Sequence, residues 1–224
     1  MDELILPNSR HLGDIDYDVS RNALYVALEP GGHAAVWEIL LRATGNDGVT
    51  NRIRYLDVSG TKPQGYSAPW CAVNPGDGLL YSSVFGGVDE QVRYMDRLYA
   101  YDRDRNFELA RIVRLPPGYR HERVQGGAFG KFGHLYLSID SHPKRIAGYS
   151  IPSGGDTAHY LGYALINAPD LEVEGITVGP PGNYVDPSSD LSREWVHVGC
   201  LRNNTPFLHD AYIKHYWVPN YYCV

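Results

Sequence analysis

The sequence predicts an all-β fold, a β-propeller of four blades with four antiparallel strands in each, and three observations predict it. A Leu-Tyr dipeptide recurs in ALYVALE, LLYSSVF and HLYLSID, placing Tyr25, Tyr81 and Tyr136 at spacings of 56 and 55 residues, and EWVHVGC sets Trp195 and Val196 where a fourth copy is due. Each copy is preceded by one strand-like phrase and followed by others, at a period that suits one four-stranded blade. The runs are five to seven residues long, rich in Val, Ile, Tyr, Phe and Trp, and bounded by Gly, Pro, Asp and Asn. These are strand signals.

Taken in order, the first blade reads GDIDYD, ALYVALE, AAVWEIL and RIRYLDV, the second PWCAVNP, LLYSSVF, RLYAYDR and ELARIVRL. The third reads QGGAFGK, HLYLSID, RIAGYSI and HYLGYAL. VSRNAL, PGDGLL and GKFGHL join the first two strands of these blades and supply residues that tolerate tight turns. VWEILLRA alone comes near a helical spacing of apolar residues. The fourth blade offers VEGITVG, EWVHVGC and AYIKHYWV without a fourth strand, while DELILP precedes the first blade unassigned. The economical expectation is that Leu4–Leu6 pair beside Tyr212–Trp217 and close the ring, which removes two exposed edges. A larger ring cut short, or one completed by a second copy, is the alternative.

Composition limits the function. At 224 residues, with 43% hydrophobic and 21% charged residues, the chain can bury one good core and is expected to be a single domain over 1–224. Its net charge of −6 argues against generic nucleic-acid binding, and no apolar run approaches the ~18 to 20 residues that a bilayer needs. MDELILPNSR has acidic residues where a secretory leader has basic ones, so the expectation is a cytoplasmic protein with no membrane partner. Cys71, Cys200 and Cys223 match no zinc spacing, and Cys71 reads as a buried thiol. The sequence contains no nucleophile elbow, phosphate loop, dinucleotide fingerprint or His-Glu-x-x-His motif.

HLGDIDYD, PWCAVNP, RVQGGAFGKFGHLYLSID, LEVEGITVG and AYIKHY together resemble a largely uncharacterised group of bacterial β-propeller proteins. EGITV is distantly similar to the Glu-Gly step on inner strands of esterase-like phytase and gluconolactonase-type propellers. That second resemblance implies a divalent metal at the channel mouth, held by a Glu with Asn and Asp ligands. Glu174 matches the Glu, and no residue matches the Asn ligands by motif.

In a propeller the first strand of each blade lines the axis, so its polar residues converge from distant parts of the chain. Asp14, Gln125 and Glu174 start three of these strands and are expected to share one end of the channel. Two carboxylates and an amide oxygen suit a hard cation such as Ca²⁺. The same groups can instead accept backbone N–H bonds that hold blades in register, or two of them can do acid–base chemistry if burial separates their pKa values. His11 and His121 precede the first and third inner strands and are candidate proton-transfer groups with Asp14 and Glu174. Trp70 offers either a stacking wall for a ligand or inter-blade packing.

Arg123, in RHER beside Arg120, is a candidate clamp for an anionic ligand, with a solvated loop of local ion pairs as the alternative. The functional expectation is a site for a small polar or anionic molecule at the channel mouth, in a hydrolase or a lyase or isomerase. A non-catalytic interaction scaffold is the alternative. Its surface would be the aromatic tail, where Trp217, Tyr221 and Tyr222, if exposed, would dock a partner or a second copy.

Overall fold

The computed structural model describes residues 9–30, 33–41, 50–56, 64–65, 67–87, 92–179, 194–205 and 208–218. It is an all-β, four-blade propeller. Blade one comprises β1 (Ser9–Asp18), β2 (Ala23–Pro30), β3 (Ala35–Leu40) and β4 (Thr50–Tyr55). Blade two comprises β5 (Cys71–Val73), β6 (Leu80–Ser82), β7 (Arg97–Asp102) and β8 (Glu108–Arg114). Blade three runs through β9 (Val124–Phe129), β10 (His134–Ile139), β11 (Arg145–Ser150) and β12 (His159–Leu165). Blade four has β13 (Glu172–Gly179), β14 (Glu194–Thr205) and β15 (Leu208–Val218). Within each blade, sequence neighbours pair antiparallel.

The recurring Leu-Tyr pair marks the second strand of each of the first three blades, and its tyrosines Tyr25, Tyr81 and Tyr136 are buried between blades. VWEILLRA is where a helical reading fails. It contributes to β3, whose Val36 faces the core shared by the first three blades while Trp37 and Ile39 face a separate apolar cluster on the other side of blade one. A strand covered on both faces needs no polar alternation, so its apolar run resembles a helix in sequence. The third cluster, from Tyr136 and Ile146 to Val173, Ile176, Val196 and Val198, seals blade three against blade four.

Cys71 is fully buried, and burial pushes its thiol well above the usual range, so it is core. The expected pairing of Leu4–Leu6 with Tyr212–Trp217 lies outside the described residues, as do Tyr221, Tyr222 and Cys223 and the side chains of His11 and Trp217. Among the described residues, no helix is long and apolar enough to cross a membrane.

Four inner strands, β1, β5, β9 and β13, meet around the axis and pack it shut at mid-height. Asp14 N–H donates to the Pro69 carbonyl at 2.9 Å, Val73 N–H donates to Asp16 at 2.7 Å, and Ile176 N–H donates to Asp14 at 3.0 Å, which ties blade one to blades two and four. Blades two and three meet where the Trp70 ring lies on Gly127. The Asp14 carboxylate fills the space that a Cβ would take at Gly126 or Gly175, 2.6 and 2.5 Å away, so only glycine lets these backbones approach it.

Candidate active site at the start of the inner strands

Three of the four inner strands carry a bulge. In β1, Gly13 and Asp14 stand opposite the single residue Ala27; in β13, Glu174 and Gly175 stand opposite Gly199; in β9, Gln125 is the extra residue between the Val124 and Gly126 pairings. A bulge turns a side chain off the regular alternation of the strand. Here it releases Asp14, Gln125 and Glu174, each beside a glycine, toward a common axis.

The three do not occupy one plane. Gln125 lies at the level of Glu172, to which its amide nitrogen donates at 3.4 Å, while Asp14 sits deeper, against Gly126 and the Ile176 N–H. Asp14 is already committed: Oδ1 accepts from Ile15 N–H and Oδ2 from Ile176 N–H, both at 3.0 Å. This is the register-holding role, and burial still pushes its carboxyl up to about 6 against those bonds. The donor set does not fit a divalent cation, because both Asp14 oxygens are spent on backbone amides and Asp14 lies deeper than Gln125. Among the described residues no group of three or more His, Cys, Asp or Glu side chains could hold a metal ion.

Glu174 is different. It is partly exposed, and its carboxyl is pushed up to about 7, first by burial, then by the carboxylates of Glu172, Asp140 and Asp14, with Arg123 pulling the other way. Its strand is pinned below it by Ser138, whose hydroxyl donates to the Glu174 carbonyl at 2.9 Å. The surrounding charges are set by Asp140, at the end of the HLYLSID phrase. This buried carboxylate accepts from Val173 N–H at 2.9 Å and pairs with Arg123 at 2.7 Å and Lys144 at 2.8 Å. A cavity of about 530 Å³ opens beside Asp140, lined by Arg123, Asp140, Lys144, Leu171 and Glu172 among others; Asp14, Gln125 and Glu174 are not part of its lining.

Three expectations are corrected here. Trp70 has no exposed surface; its ring packs on Gly127 and its Nε1–H donates to Ser83 at 2.8 Å, so it seals blades and offers no stacking wall. His121 does not reach the channel. A backbone bridge to Met95 holds it at the joint of blades two and three, where it is 5% exposed, with Nε2 at 2.5 Å from the Tyr149 hydroxyl and Nδ1 at 3.2 Å from the Arg145 guanidinium. Since guanidinium only donates, Nδ1 accepts and Nε2–H donates to Tyr149. The neutral ring is favoured because burial, then Arg145, drives its pKa down to about 4.

The basic mouth expected from RHER is the third. Arg120 lies over the Tyr94 ring at 4.2 Å, Glu122 pairs with Arg93, and Arg123 is taken by Asp140 with Glu172 at 3.8 Å. The loop is one of local ion pairs. The lining of the cavity has Glu122, Asp140, Asp170 and Glu172 against Arg123 and Lys144, an acidic excess.

Sequence reasoning missed Asp140 and Lys144. Their only signal was a carboxylate closing a strand with a lysine four residues on, a pattern common on any surface.

A second cavity, of about 420 Å³, lies at the opposite ends of the inner strands, with Asp16, Asp18, Asn74, Arg103, Phe129 and Val178 in its wall.

No protein-family model matches the sequence, and no curated protein matches it. Solved structures do resemble the fold. A Bacteroides uniformis protein assigned as a 6-phosphogluconolactonase aligns at 12% identity with a TM-score of 0.47, over 90% of this chain and 55% of its own, so this chain spans about half its length. The PQQ-bound aldose sugar dehydrogenase of Streptomyces coelicolor aligns at 11% identity and TM-score 0.47, over 94% of this chain and 70% of its own. PorZ, a surface component of the type-IX secretion system of Porphyromonas gingivalis, aligns at 14% identity and TM-score 0.44, over 93% of this chain and 28% of its own. All three are propeller-like.

Proposed function

We propose that this protein is a propeller enzyme that binds a small, polar, uncharged molecule where β9 and β13 begin, and that Glu174 transfers a proton to or from it. One observation carries the reading. Bulges on separate inner strands carry Asp14, Gln125 and Glu174, and of the two carboxyls Asp14 accepts from two backbone amides while Glu174, partly exposed, is pushed up to about 7. A general acid or base works best when its pKa lies near the working pH. Burial first, then the neighbouring carboxylates, hold it there, and two carboxyls with separated pKa values are the pattern of acid–base sites.

Gln125 supplies an amide for orienting a hydroxyl or carbonyl group, and the Arg123–Asp140–Lys144 network fixes the floor on which β13 rests. The acidic excess of the cavity selects against anions, so a neutral polar substrate is favoured over a phosphorylated one. Hydrolysis, elimination and isomerisation all need such a proton-transfer group.

The test combines carboxyl titration with ligand screening. Carbon-13 NMR of labelled glutamate should show one carboxyl titrating near neutrality that vanishes in Glu174→Gln. Neutral sugars and polyols, rather than sugar phosphates, should raise the melting temperature of the wild type and not of Glu174→Gln. A Glu174 carboxyl that titrates in the ordinary range, or stabilisation by the phosphates alone, would overturn the reading.

A further inference from the structure

On the face of blade four turned away from blade three, two histidines meet nitrogen to nitrogen. His197 of β14 and His215 of β15 are directly opposed across the ladder, their Nδ1 atoms 2.5 Å apart and their rings nearly perpendicular at 80°. Thr177 of β13 stands next in the same cross-strand row. His215 and Thr177 are exposed and His197 is half-buried, so water reaches the pair. The core residues Val196, Val198 and Cys200 alternate with His197 and face the other way, into the joint with blade three. Packing does not require imidazoles here.

The protonation states are constrained. The His197 ring also donates to the Gly179 carbonyl. With Nδ1 turned toward His215, that donor is Nε2–H, so Nδ1 of His197 carries a lone pair. At 2.5 Å only one hydrogen fits between the rings, and His215 supplies it. A backbone carbonyl that takes the far N–H of an imidazole fixes its tautomer and orientation, which is the support that metal-ligating histidines receive.

We infer that His197 and His215 form a surface site for a borderline divalent transition metal such as Zn²⁺, with both Nδ1 atoms as ligands and water completing the shell. Imidazole suits Zn²⁺, Cu²⁺ and Ni²⁺ and not Ca²⁺ or Mg²⁺. Two nitrogens at ~2.0 to 2.1 Å from a tetrahedral ion stand about 3.3 Å apart. The rings therefore open by less than an ångström, which solvent-facing side chains accommodate by small χ rotations. On binding, the proton between the rings leaves, and His215 takes the Nε2–H tautomer. The ion then bridges β14 to β15 and stabilises blade four as any ligand of the folded state does.

The experiment is calorimetric titration of ZnCl₂ into the whole chain in a non-chelating buffer, with CaCl₂ as the control. His197→Thr and His215→Thr keep a good strand former at each position. The wild type should bind Zn²⁺, melt at a higher temperature with it, and ignore Ca²⁺. Losing a ligand costs at least what losing its supporting hydrogen bond does, so each variant should bind about 10- to 100-fold more weakly. Binding that is unchanged in both variants, absent from the wild type, or equal for Ca²⁺ overturns the site. Should a variant misfold, nitrogen-15 NMR of the wild type decides: the two Nδ1 resonances must move on addition of Zn²⁺, and stationary signals refute the proposal.

Discussion

Where the inner strands begin, Glu174 stands among Glu172, Asp140 and Asp14, and the nearest cation, Arg123, is bound to Asp140. Where β1 ends, Asp18 has the Arg103 guanidinium directly against it, both side chains 5% exposed, and Ser20 donates to it as well. One carboxyl is pushed up to about 7; the other is held below the usual range despite burial. Acidic residues stand at both ends of the inner strands, so residue type does not separate them. What separates them is the partner: a carboxylate matched by a buried cation is scaffold, and one crowded by other carboxylates keeps a proton to exchange.

The largest expected effect tests the scaffold end. Arg103→Ala should leave buried Asp18 with only the more distant Arg21, at 3.9 Å, and remove the bond from Nε to the Gly78 carbonyl, at 2.9 Å. Breaking a buried pair by removing one partner costs about 3 to 5 kcal/mol, and chemical denaturation should show that loss. The paired replacement Asp18→Leu with Arg103→Met sharpens the comparison, because an apolar pair of similar volume leaves no orphaned charge and should lose much less. Equal losses in the single and paired variants would mean that the charges do not matter to each other.

The site end should respond in the opposite sense. Glu174 has a pKa of about 7 when folded and an ordinary one of 4.5, so the folded state binds its proton more tightly. Its contribution is then fully favourable below 4.5 and is lost as pH rises through 7. At pH 8 the wild type bears the whole cost of an ionised Glu174, and Glu174→Gln should be more stable by up to about 3 kcal/mol, less whatever its partial exposure screens. The gap between the two proteins should grow from pH 4.5 to pH 7 and then level off. Asp18 works the other way, its stabilisation present above the ordinary carboxylate range and lost on acidification. A Glu174→Gln variant less stable than wild type at pH 8 would show that the ionised carboxylate has a partner there and is not a catalytic group.

The blades were legible because strand periodicity and a repeated Leu-Tyr pair are local signals, and Tyr25, Tyr81 and Tyr136 land on equivalent strands. Asp14, Gln125 and Glu174 were legible for a related reason: each adjoins a glycine in an inner strand, and that glycine is the trace of a bulge, although Asp14 lies midway along β1 (Ser9–Asp18) and not at its start as expected. Partners were not legible. His121 and Trp70 sit at the right point in the repeat, but Tyr149, Arg145 and Ser83 come from elsewhere in the chain and turn both side chains inward. The sign of the charge at the mouth was missed likewise, since RHER looks basic until Asp140 and Glu172 are folded against Arg123.

The smallest effect concerns the joint of blades two and three. A Cβ at Gly127 would lie 2.3 Å from Cε3 of Trp70, with Cδ2 and Cζ3 at 2.6 and 2.7 Å, and the indole is held by its bond to Ser83. Gly127 has no positive φ, so alanine there meets no backbone strain and the cost is steric. Overpacking of this kind costs about 1 to 3 kcal/mol. Gly179, with open space around its Cβ position, is the matching control and should accept alanine without loss. If the clash is with the indole, Gly127→Ala combined with Trp70→Leu should lose less than the sum of the two single losses, as contacting residues do. Strict additivity would mean that the loss at Gly127 does not come from a clash with the indole.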